Sequence, residues 1–77
     1  MDRYCILTAT QHAFNKKVDI VIDFGELELP IEYQEFEKNC TSQVEALNFM
    51  SSKGWELVNS YANQTLYETR HVMKKGA

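Results

Sequence analysis

Four side chains have the chemistry for soft metal binding or nucleophilic attack: Cys5, Cys40, His12 and His71. None pair at the close intervals that mark a zinc site. A cysteine–histidine nucleophile would need thiol and imidazole in contact. Nothing in their spacing favours that over core packing. Cys5, set in an apolar run, reads as a small buried hydrophobe. The carboxylates Glu26, Glu28, Glu32, Glu35 and Glu37 form an acidic run. It lacks the glycine and ligand spacing of a calcium loop. The first three instead suit the solvated side of a sheet edge, where charge discourages aggregation. Near the other end Tyr67, Arg70, Lys74 and Lys75 combine basic and aromatic types, as single-strand nucleic-acid surfaces do. A duller role is complementarity to the acidic run of another copy, or solubility. The expectation is therefore no catalytic residue, no metal and no cofactor.

The elements that must position these groups are organised by residues 41–58, TSQVEALNFMSSKGWELV. Ser42 opens a capping box closed by Glu45, and Thr41 is the competing cap. Val44, Leu47 and Met50, flanked by Ala46 and Phe49, form an apolar stripe at the helical period. Lys53 suits the negative end of the helix dipole. Gly54 can take the left-handed conformation that ends a helix, and Trp55 is then expected to fold back on Met50. Trp55 could also line a pocket with Tyr61, but the helix stop already accounts for it.

The segments Ala46-Leu47-Asn48 and Lys53-Gly54-Trp55-Glu56-Leu57-Val58 resemble a family of short uncharacterised bacterial and phage domains. Those domains begin with a strand near a tyrosine, matched here by Tyr4. A helix, Gly-Trp-Glu-Leu-Val and a strand ending in basic residues follow, matched by the tail from Arg70 to Lys75. The tight match covers residues 46–58 and the remainder agrees in order. The family has no established activity, so the resemblance implies a fold and an origin, and no mechanism. Residues 25–39 are longer than the family's pattern.

Two strands are expected before the helix, residues 3–11 and 17–24. In the second, Val18, Ile20, Ile22 and Phe24 alternate with Asp19, Val21 and Asp23. Gly25 then shifts the parity, and Leu27, Leu29, Ile31 and Tyr33 alternate with glutamates. A bulge at Gly25 would continue the strand. An extended arm over residues 27–33 fits better, restricted to an edge by Pro30. Residues 33–40 read as a polar connection anchored by Phe36. After the helix come strands 55–62 and 66–74, joined at Asn63-Gln64. On the first of these, Trp55, Leu57 and Tyr61 share a face by simple alternation.

The expected fold is one α+β domain over residues 1–77. It is a four-stranded antiparallel sheet with one helix on a face, in the order β-β-(arm)-α-β-β. Each strand carries adjacent apolar residues, so a single helix leaves greasy surface uncovered. A chain of 77 residues has a thin stability margin. Together these point to a homo-oligomer meeting through Val21, Leu27, Leu29, Ile31, Val58 and Val72. The net charge of −3 disfavours a nucleic-acid partner. No run reaches the roughly 20 apolar residues that span a bilayer. The first ten residues lack the layout of a secretion signal, which makes a cytoplasmic setting with reduced thiols the expectation. The function expected is that of a small self-associating, non-enzymatic module. The alternative is an accessory nucleic-acid-binding or regulatory protein using the basic last strand.

Overall fold

The computed structural model describes residues 3–11, 18–25, 28–63 and 67–76. Four strands, β1 (Arg3–Gln11), β2 (Val18–Asp23), β3 (Glu56–Asn63) and β4 (Glu68–Lys75), form one antiparallel sheet in the order β2-β1-β4-β3. Two helices, α1 (Ile31–Asn39) and α2 (Gln43–Ser52), lie on one face. The four-stranded α+β sheet is thus the one the alternation of apolar residues implies. Two hairpins are merged through the central pair β1 and β4.

The helix count departs from expectation. Residues 31–39 form α1 where an extended arm and a polar connection were expected. Pro30 is the reason. At the N-cap its missing N–H costs nothing, and its carbonyl accepts from the amides of Tyr33 (3.0 Å) and Gln34 (3.1 Å). Glu32 and Lys38 fall at the ends of α1 where the dipole favours each sign. Tyr33, Phe36 and Cys40 lie three and four residues apart and turn one side of this segment inward. That helical period outweighs the two-residue period of Leu29, Ile31 and Tyr33.

The α2 boundaries follow the cap chemistry. Ser42 is the N-cap, and its hydroxyl accepts from the Glu45 amide at 3.5 Å. At the other end Gly54 adopts φ +92°, the Gly54 amide bonds Ser51 O, and the Trp55 amide bonds Met50 O, each at 3.0 Å. This is the paired closure expected of a glycine stop. Met50 is 0% and Trp55 5% exposed. Val44 does not join the apolar stripe; it is exposed, and Ala46 and Met50 are the buried positions.

The core is Cys5, Leu7 and Ala9 of β1, Ile20 and Ile22 of β2, and Met73 of β4, facing Cys40, Ala46, Met50 and Trp55. Above it the aromatic rings interlock. Phe24 stacks on Trp55 (centroids 5.3 Å apart) and meets Tyr33 edge-on, while Phe36 stacks on Phe49 at 3.9 Å. Tyr33 also meets Phe49 edge-on, and Trp55 Nε1 donates to Tyr33 Oη at 3.2 Å. Such pairs contribute about 0.5–1.5 kcal/mol each beyond area burial. They tie the polar helix α1 to α2. Both helices make their principal sheet contacts on β2. The strand furthest from that cover is β3.

Candidate self-association edge

Every residue of β3 is exposed. Leu57, Val58 and Tyr61 are 53%, 50% and 48% accessible. This strand forms one edge of the sheet, and among the described residues β4 is its one strand partner. Apart from Glu56 the sequence ELVNSYAN carries no charge and no proline. Natural edges commonly use both to deter pairing.

A register shift falls between Leu57 and Asn59. Leu57 pairs with Met73, Ser60 with His71 and Ala62 with Thr69. Directly opposed residues share a face, so Leu57, Ser60 and Ala62 lie on the helix side and Tyr61 on the other. Simple alternation had put Leu57 and Tyr61 together. The bulge, an extra residue that reverses parity, separates them.

The opposite edge, β2, is handled differently. The amide of Ile22 donates to Glu37 Oε2 of α1 at 2.9 Å, and the amide of Val18 donates to Thr41 O at 3.3 Å. Thus the acidic run serves structure: Glu37 closes a strand edge and Glu32 pairs with Lys53. Glu28 and Glu35 are exposed, and Glu26 lies outside the described residues.

Ser60 belongs to a polar chain that sequence reasoning did not assemble. Its Oγ lies 2.6 Å from His71 Nδ1, and His71 Nε2 lies 3.1 Å from Gln43 Oε1. The three side chains come from β3, β4 and α2. His71 is buried, and that burial pushes its pKa below the ordinary value of 6.5. Both ring nitrogens are satisfied, as a buried imidazole requires. The backbone amide of Ser60 donates to Asn59 Oδ1 at 2.9 Å and not to the ladder. The alternation of β4 groups His71 with Met73 on one face, which the structure shows to be the helix side. That Gln43 would meet it depends on where α2 crosses the sheet, which periodicity does not encode.

The remaining candidates are dispersed. Val21 and Ile31 are exposed, Leu29 and Val72 half-buried, and Leu27 lies outside the described residues. Tyr67 does not lie in the last strand. It occupies a turn at φ +50°, where its carbonyl accepts from the Gln11 amide. Arg70 and Lys74 point away from the helices. Lys75 turns to the opposite face, beside Gly54. Arg70 is ion-paired to Glu68, which, with Tyr61, raises its already high pKa. On the helix-free face Asp19, Asp23, Glu56 and Glu68 outnumber Arg70 and Lys74. Cys5 and Cys40 are buried free thiols. Burial, helped by nearby Asp23, pushes Cys5 up to about 12, so it does not supply a thiolate at neutral pH. Cys40 is raised by burial, and its thiol donates to Ser42 O at 3.2 Å. Among the described residues no three His, Cys, Asp or Glu side chains form a metal-binding group, and His12 lies outside them. No helix among them is long and apolar enough to cross a membrane.

No protein-family model, curated protein or solved structure matches this chain.

Proposed function

We propose that this protein is a non-enzymatic module that works as an assembly of its own copies. The observation that carries this reading is β3, eight residues long and exposed throughout, with Leu57, Val58 and Tyr61 each about half accessible. Burying most of such a side chain's remaining apolar surface contributes roughly 1 kcal/mol. Three of them, with shared backbone bonds, are substantial beside the thin margin of a domain this size.

The basic last strand gives less support to a nucleic-acid role. Arg70 is committed to Glu68, Lys75 faces away from Arg70 and Lys74, and carboxylates dominate the face those two share. A cation stripe that can neutralise successive phosphates is what such binding needs.

Sedimentation equilibrium at micromolar concentration tests the reading. A mass that rises with concentration toward two chains or more supports it. A constant mass of 9.0 kDa through the high micromolar range contradicts it.

A further inference from the structure

We infer that β3 of one copy pairs antiparallel with β3 of a second, related by a two-fold axis at Tyr61, so that two four-stranded sheets become one of eight strands. This inference rests on the self-association reading and specifies its surface.

The two edges of the sheet decide which one is open. On β2, Glu37 and Thr41 already occupy the amides of Ile22 and Val18. An incoming strand would have to displace them. On β3 the Ser60 amide is off the ladder and held only by its neighbour's side chain, Asn59 Oδ1. Ser60 and His71 are opposed, with side chains in hydrogen-bond contact. That closeness marks a pair whose backbone groups point outward. By alternation Ala62 does the same. Ser60 and Ala62 therefore offer donors and acceptors to a new strand.

The bulge sets the usable length. Only Asn59–Asn63 runs regularly beyond it. A two-fold axis on that segment falls at its middle residue, Tyr61. Ser60 then bonds Ala62 of the second copy, Asn59 lies opposite Asn63, and the two Tyr61 rings meet on the helix-free face. A surface hollow of about 600 Å³ bordered by Tyr61, Ala62, Asn63, Glu68 and Arg70 adjoins the junction. Charge favours the same direction. Antiparallel pairing sends the two Glu56 carboxylates to opposite ends, whereas a parallel pair would set them side by side. Asn59–Asn63 is roughly 17 Å long at about 3.3 Å per residue. A paired edge of that length buries on the order of 250 Å² per copy, a third of the usual share of about 800 Å², so the dimer is expected at the weak end of the micromolar range.

Disulfide trapping of the full chain tests the geometry. Cys5 and Cys40 are buried, so an introduced thiol is the reactive one. Tyr61→Cys alone, and an equal mixture of Asn59→Cys with Asn63→Cys, which keeps Tyr61, are oxidised and run on a non-reducing gel. Val21→Cys, exposed on β2, is the control. Opposed residues that do not share backbone bonds bring Cα atoms within disulfide reach. Both β3 sets are expected to give roughly tenfold more covalent dimer than the control. A dimeric mass for the parent chain with trapping through Val21→Cys, or with no trapping at β3, overturns the surface and leaves self-association standing. A monomeric mass for the parent overturns both. A monomer whose β3 amides become protected on adding an extended peptide would assign the edge to a foreign strand.

Discussion

Gly54 is the residue on which the helix-to-strand joint depends. At φ +92° a side chain would be strained, and a Cβ there would also come within 3.3 Å of Lys75 Cε. Lysine can move aside, so the backbone term dominates. Gly54→Ala is expected to lower stability by about 1–2 kcal/mol, read from the urea midpoint. His71 sets a pH dependence. Its folded pKa lies below 6.5, so the unfolded chain binds the proton more tightly. Its contribution is constant above about pH 7. Stability is then lost as pH falls through 6.5 and levels off below the folded value. In urea titrations at pH 7.5 and 5.5, the wild type should lose more stability on acidification than His71→Gln. Equal losses in the two proteins would show that this imidazole does not carry the effect.

At the scale of elements, α1 shows what the chain conceals. The residues of α2 announced its ends, because Ser42, Gly54 and Trp55 each do a local job that the structure repeats. The strands were legible from alternating burial in β1 and β2. α1 was not, since its apolar side is only Tyr33 and Phe36 and none of its residues is fully buried. It is held by aromatic contacts from Phe24, Phe49 and Trp55, which sequence periodicity cannot reveal. The face assignment along β3 failed for a different reason. A bulge changes parity without any glycine or proline to mark it. The polar chain Ser60–His71–Gln43 was hidden likewise, because its members meet only through tertiary packing. α1 also guards the β2 edge through Glu37. Glu37→Ala is expected to cost about 1 kcal/mol and to speed hydrogen exchange at the Ile22 amide. Unchanged exchange there would remove the proposed protection.

For the molecule as a whole, the two helices cover one side of the sheet unevenly. Their weight falls on β2, and the chain extends 40 × 24 × 23 Å. One edge is closed by side chains of the same chain and the other is left exposed, with apolar residues along it. That asymmetry is the physical basis of the proposed assembly through β3. Tyr61→Lys, which sets two like charges against each other at the two-fold axis, should therefore weaken association by tenfold or more, about 1.4 kcal/mol. Sedimentation across a dilution series would show it. The most direct measurement is amide hydrogen exchange at Ser60 and Ala62 as the protein concentration is raised. Protection that grows with concentration at these two residues, and not at Ile20, whose amide by alternation turns outward on the other edge, is the predicted result. Exchange at Ser60 and Ala62 that is fast and independent of concentration would contradict it.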